Sequence, residues 1–447
     1  MRRSTVASRS SPDWETNLEV NNWIFRGESP ARDIDLSADT MPDAKALDEI
    51  EGHFAIHQSE GPRHRFIRDP LGVNKLFFGL TDAGEIVSSN YLLNLRERNI
   101  PAGRIQSVPA GHTLELNTES RSWALSKYRR LEYNASTDPG DLRPEGARIR
   151  EALESTFRKL RAGIGDRPLY VTMSGGLDSS TIAALARKHI GPFIGVTFCL
   201  EDDPKSAESD LHHAEAMARH LGVEHRIVSA SSDSLAALLD PVLTRGQDWR
   251  DFNVHCGLVN AAMAQALQPK PDSNSPPPVI LTGDAMNELM ADYSPVMYRG
   301  KEYYSLPRMA AGRLRRFLVS GLDSGDREVG IFSHFGIDTI QPFALLADAY
   351  AGVPGTVLDR EEAKQQLVRE VMGTSIPEAI YERPKVRAQV ATADGVGGTL
   401  AALIDRNVEG EFLKRRFGEL MGMHAREMDD LIRGGFYRFS AEYPNEF

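Results

Sequence analysis

From residue 23 to 116 the apolar positions come in short runs. They fall at Trp23–Phe25, His53–Ile56, Arg65–Ile67, Leu76–Phe78, Glu85–Ser88 and His112–Leu116. Turn formers such as Glu60-Gly61 and Ala83-Gly84 separate them. Runs of this length bounded by turns predict β-strands, with one helix near 44–51. The stretch Asn134–Asp141 is polar and rich in turn formers, and predicts a linker. Beyond it the period changes. Glu145–Ala162 is apolar at helical spacing. Strand-like Pro168–Met173, helical Ser180–His189, strand-like Phe193–Phe198, helical Asp210–Leu221 and strand-like Glu224–Val228 then alternate. Such alternation predicts a parallel sheet covered on both faces. Pro269–Pro278 contains five prolines and predicts a surface loop. Pro278–Leu281 is a further strand, and the remainder reads as mostly helical.

Composition narrows the function classes. The 447 residues suit two domains, and 41% hydrophobic with 26% charged residues is the balance of a soluble globular protein. A net charge of −11 argues against generic nucleic-acid binding. Cys199 and Cys256 are the only cysteines, which fits a reducing cytoplasm rather than a disulfide framework. No run of 18 apolar residues predicts a membrane span. The paired arginines at the start lack the apolar run of an export signal.

The chemistry concentrates in Ser174-Gly175-Gly176-Leu177-Asp178-Ser179-Ser180, between a predicted strand and a predicted helix. Ligands of open α/β sheets bind at such junctions. Two glycines allow close backbone approach to an anion, and three hydroxyls and the helix N-terminus complete a phosphate cradle. Asp178 suits a Mg²⁺ bridging phosphates. No lysine follows the Walker A pattern, which points to chemistry at the α-phosphate of ATP with pyrophosphate leaving. The plainer reading is a turn capped by Ser179 or Ser180.

This loop resembles the PP-loop of N-type ATP pyrophosphatases, and its surroundings resemble the asparagine synthetase family. Thr282-Gly283-Asp284-Ala285-Met286-Asn287-Glu288 is similar to that family's "SGEGSDE" loop. Gly336-Ile337-Asp338-Thr339-Ile340-Gln341-Pro342-Phe343 is similar to "GLEVRVPF", and Tyr381–Lys385 with Ala393–Gly397 to "R-x-K … DGVG". Glu51–Ala55, Arg68–Phe78 and Pro109–His112 resemble its glutaminase domain. The resemblance implies an α+β Ntn-hydrolase-like sandwich over 1–133, a linker over 134–144, and an α/β PP-loop domain (adenine nucleotide α-hydrolase-like) over 145–447. It implies ATP held by Ser174, Gly175, Gly176, Asp178, Ser179, Ser180 and Gly283. Mg²⁺ would be held by Asp178 and Asn287. Lys385 would neutralise charge at the α-phosphate, and Asp284 and Asp338 are candidates for handling an amine proton.

Three departures refine this. Arg2 stands where the family's glutaminase has its cysteine nucleophile, so glutamine hydrolysis is not expected. Relatives in that state, the β-lactam synthetases and lasso-peptide cyclases, use a substrate amine. Asn287 replaces an aspartate and brings an oxygen without charge. Asp284 stands where β-lactam synthetases have a tyrosine. The expected activity is an ATP-dependent amide ligase or cyclase acting on a small-molecule or peptide carboxylate and an amine, in natural-product biosynthesis, with a homodimer left open. An ammonia-dependent asparagine synthetase and a non-catalytic nucleotide binder are the alternatives. His212, His213, His220 and His225 lack metal-site spacing. The basic run Arg299–Arg316 reads as a solvated helix face or an acidic-partner patch, and Trp249–Phe252 as a pocket lining.

Overall fold

The computed structural model describes residues 18–31, 34, 44–201, 204–270, 275–293, 296–298, 301–303, 308–323, 328–383 and 409–428. Its first part is built from antiparallel sheets. Arg63–Arg68 lies between Ala55–Glu60 and His112–Asn117, and Ser122–Lys127 forms the far edge. A second sheet has Phe77–Leu80 between Ile86–Ser89 and Ile105–Ser107. Ala55, Phe66, Leu76, Phe78, Val108 and Leu114 close these two sheets into a sandwich, with the Phe66 and Phe78 rings 5.0 Å apart. A third sheet places Trp23–Arg26 between Ser29–Ala31 and Ile50–His53.

The run expected as one strand at His53–Ile56 is therefore two strands in different sheets. The chain crosses between them at Phe54, whose N–H donates to the buried Asp69 carboxylate. The helix expected over 44–51 ends at Asp48, because Ile50 already belongs to a strand.

The second part is a five-stranded parallel sheet: β1 (Leu169–Thr172), β2 (Ile194–Leu200), β3 (Glu224–Ala230), β4 (Val279–Leu281) and β5 (Asp338–Ile340). Its order is β3-β2-β1-β4-β5. The chain steps outward from β1 in one direction and then returns to its other side. The reversal between β1 and β4 is the switch point at which α/β sheets leave a crevice beyond their carboxyl ends. Helix Arg143–Ile164 buries Ile149, Leu153, Phe157, Leu160 and Ile164 in a core cluster with Leu169 and Val171 of β1. That spacing is one face of a helix.

The sandwich is fastened to this part by buried polar contacts. Arg68 donates to the Asp323 carbonyl, and Lys75 to the Leu322 and Asp323 carbonyls. Tyr91 donates to the Gly330 carbonyl, and Gln247 bonds the backbone at Asn90 and Leu92. Among the described residues no helix is long and apolar enough to cross a membrane.

Candidate functional site

β1 ends at Thr172, and the helix Leu177–His189 begins after four intervening residues. Between them Gly175 adopts φ +69°, and a Cβ there would stand 2.5 Å from His213 Cβ and 2.9 Å from Ala214 N. Only glycine lets the loop lie this close to the neighbouring helix. The Ser179 hydroxyl stitches the loop: it accepts from Ser174 N at 3.1 Å and donates to Gly176 O at 3.2 Å. The N-cap residue is Gly176, with no side-chain cap. The serines therefore do not cap this helix. Among the described residues Ser180 Oγ is buried without a hydrogen-bond partner, a polar atom that such burial normally requires to be paired.

β4 lies beside β1, so the loop after it meets the first loop. A Cβ on Gly283 would stand 3.0 Å from Ser179 N and 3.2 Å from Asp178 Cβ. Half-buried Asp284 follows, and Ala285 at φ +75° turns the chain into helix Met286–Met290. Thr282 donates to Glu328, whose buried carboxylate also accepts from Gln341 at 3.0 Å.

Asp178 and Asn287 lie together, both accepting from a side chain the sequence reading passed over. Lys364 Nζ lies 2.6 Å from Asp178 Oδ1, 2.7 Å from Asn287 Oδ1 and 3.0 Å from Asp292 Oδ2. Burial opposes its charge, yet Asp178 and Asp292 outweigh that and hold its pKa above the ordinary lysine value. A signal was present. Lys364 precedes Leu367, Val368, Val371 and Met372 at helical spacing, and all are buried. A lysine on an apolar stripe needs a buried partner. Arg383 is the second unforeseen contact: it donates to Ser174 O at 2.8 Å and pairs with Asp210. Burial raises the Asp210 pKa, and Arg383 opposes the shift.

Asp338 is a correction. It opens β5 opposite Val279, where β4 begins, and its N–H donates to Pro278 O at 3.0 Å. That is the amino end of the sheet, roughly 10 Å or more along the strands from both loops. Its carboxylate pairs with Arg167, which precedes β1. Burial raises its pKa against that partner. The motif match aligned the sequence, but the strand register carries Asp338 away from the loops.

Lys385 and residues 393–397 lie outside the described residues. Arg315 is another correction: it is not on a solvated face but buried, donating to the Tyr350 and Val353 carbonyls. Trp249 is buried against Phe417, with ring centroids 4.9 Å apart. Among the described residues no three His, Cys, Asp or Glu are grouped to hold a metal. The oxygen donors around Lys364, two carboxylates and an amide carbonyl, nevertheless suit a hard divalent cation.

Comparison with known proteins bears on this geometry. Residues 148–325 match the asparagine synthase family model. That segment, about two fifths of the chain, is similar to an asparagine synthase domain. It contains both loops, Asp178, Asn287 and Asp292. Asparagine synthetase B [glutamine-hydrolyzing] of Escherichia coli is 29% identical over 216 residues, covering 44% of this chain and 36% of that protein. The bovine asparagine synthetase [glutamine-hydrolyzing] is 23% identical over 355 residues, covering 74% and 60%. Carboxyethyl-arginine beta-lactam-synthase of Streptomyces clavuligerus is 24% identical over 446 residues, covering 93% and 79%. The chain thus spans little more than a third of the bacterial synthetase and three fifths of the bovine one, but most of the β-lactam synthase.

Proposed function

We propose that this chain is an ATP-dependent carbon–nitrogen ligase that adenylates a substrate carboxylate and joins it to an amine. The observation that carries the reading is the convergence of the loops after β1 and β4 at the switch point of the parallel sheet. They bring together a glycine cradle, a helix N-terminus and an oxygen cluster. That site offers N–H donors to phosphates. A divalent cation held by Asp178 and Asn287 would offset phosphate charge.

In this reading the substrate carboxylate attacks the α-phosphorus and pyrophosphate leaves. The amine then attacks the acyl carbon, AMP leaves, and Asp284 takes the amine proton. Lys385 steadies the developing negative charge. ATP lies across Ser174, Gly175, Gly176, Ser179, Ser180 and Gly283. The antiparallel sheets of the first part are read as a glutaminase-like sandwich, and residues 1–133 contain no cysteine. In this reading the amine comes from a small-molecule or peptide substrate, in the manner of natural-product amide formation.

The test is pyrophosphate release with candidate acids. Asp178→Ala is expected to abolish it, and an Asp178→Ala protein with full activity would overturn the reading. One observation favours a second reading, a nucleotide binder without turnover: Asn287 is neutral, and Lys364 stands among the cation donors. Tight ATP binding without pyrophosphate release on any acid would select it.

A further inference from the structure

The loop after β1 is held at its first residue by a side chain 209 positions away. Arg383 Nη1 donates to Ser174 O at 2.8 Å, and Nη2 pairs with the Asp210 carboxylate. The Arg383 side chain is 6% exposed, so little water competes for either bond. Arg383 is itself carried by a fixed segment. It follows helix Glu378–Tyr381, whose Ile380 and Tyr381 are buried in the core. The Tyr381 hydroxyl donates to Gly373 O at 3.0 Å, and its carbonyl accepts from Gln365. Asp210 touches the same loop a second time, since a Cβ on Gly175 would stand 3.0 Å from Asp210 O. The loop, helix Pro204–Leu221 and Arg383 therefore meet at one junction.

The peptide joining Ser174 to Gly175 is trans, so its C=O and N–H point in opposite directions. A Ser174 carbonyl fixed toward Arg383 therefore fixes the Gly175 N–H away from it. Without that hold the peptide unit would turn over at little steric cost, because glycine adopts either sign of φ. The flipped loop would present a carbonyl oxygen, which repels phosphate, where a cradle needs an N–H. We infer that Arg383 is a positioning residue for the nucleotide. It locks the Ser174–Gly175 peptide so that the Gly175 N–H faces the polyphosphate, and Asp210 holds the guanidinium in place to do so. The inference rests on the nucleotide reading above. Arginine suits the task because its planar fork makes two bonds in a fixed relative orientation, one to a carbonyl and one to a carboxylate. The loop is thus gripped at two points, by Arg383 at Ser174 and by Lys364 at Asp178. The grips are tied to each other, since Gln365, beside Lys364, donates to the Tyr381 carbonyl.

The test compares two ligands that share adenosine and differ in the polyphosphate. α,β-Methylene-ATP with Mg²⁺ is titrated by calorimetry, and adenosine by saturation-transfer nuclear magnetic resonance. Arg383→Met is expected to weaken the analogue about tenfold, the loss of one hydrogen bond to a charged group, and to leave adenosine within about twofold. Asp210→Ala is expected to weaken the analogue roughly threefold, although it removes a negative charge beside an anion site. Unchanged analogue affinity in Arg383→Met would overturn the proposal. So would equal losses for adenosine and the analogue, which mark a general loosening of the fold. An Asp210→Ala protein that binds the analogue more tightly would also overturn it, by making Arg383 a direct phosphate contact. Where Arg383→Met does not fold, judged by near-ultraviolet circular dichroism, Arg383→Lys takes its place. It keeps the charge but not the fork, so the same split between the two ligands is expected at smaller size, and its absence sinks the proposal. A wild-type protein that binds no analogue would sink the nucleotide reading itself, whereas wild-type binding with an insensitive Arg383 variant sinks this inference alone.

Discussion

Lys364 Nζ lies 2.6 Å from Asp178 Oδ1, a pair separated by 186 residues in sequence. It ties helix Ala363–Met372 to the first turn of the PP-loop helix. Both side chains are mostly shielded, so each charge depends on the other. Lys364→Met removes the ammonium that pairs with both Asp178 and Asp292. It is expected to lower stability by about 3 kcal/mol at neutral pH. Adding Asp178→Asn should recover part of that loss. Urea unfolding of the single and double variants measures both, and additive effects would exclude the coupling.

The two loop glycines are not equivalent. Gly175→Ala places a Cβ against the neighbouring helix at a backbone angle that L-residues avoid, and is expected to cost about 1–3 kcal/mol. Gly176→Ala meets only Ser174 Oγ, at 3.4 Å, and φ there is −86°. It should leave the thermal midpoint within a few degrees of wild type. A reversed order would mean the loop rests elsewhere in solution.

Asp338 offers a control for catalytic assignment. Its partner Arg167 and its place at the start of β5 make it part of the sheet's far edge. Asp338→Asn is expected to lower stability by about 1–3 kcal/mol while leaving kcat within about twofold. A hundredfold fall in kcat in a stable protein would return Asp338 to the reaction.

Two buried histidines predict acid sensitivity. His53 is lowered to about 4 by burial, against a hydrogen bond that its ring donates to Asn74 Oδ1. His57 is lowered to about 3 by burial and by neighbouring His64. In the unfolded chain both titrate near 6.5. Unfolding therefore takes up protons below about pH 6.5, and stability falls as pH drops until the folded-state values are reached. Each histidine contributes a slope of about 1.4 kcal/mol per pH unit within its window. Urea unfolding from pH 7 to 5 should show His57→Asn with a shallower decline than wild type. Equal slopes would mean His57 is not held neutral.

Several features were legible because they are local. The period-3.6 pattern of Glu145–Ala162 and the strand–loop–helix order around Ser174–Ser180 follow from backbone geometry and side-chain size, and the structure places helix Arg143–Ile164 and strand β1 there. Asp178 and Asn287 come together because β1 and β4 are neighbours, as the alternation of strands and helices implies. The glycines at 175 and 283 stand where close packing leaves no room for a side chain.

Other features required the tertiary structure. The sequence around Asp338 matches a motif, but three residues of strand register decide which end of the sheet it occupies. Arg315 reads as one of several surface cations, and only its neighbours' carbonyls make it a buried one. Asp292 and Lys364 carry no spacing that relates them, because an ion pair between distant segments leaves no periodic trace. The sequence by itself determined the Ser174–Ser180 loop, since that loop is built from consecutive residues. Which charges face that loop was decided by folding, since Asp178, Asn287, Asp292 and Lys364 meet only when the sheet is assembled.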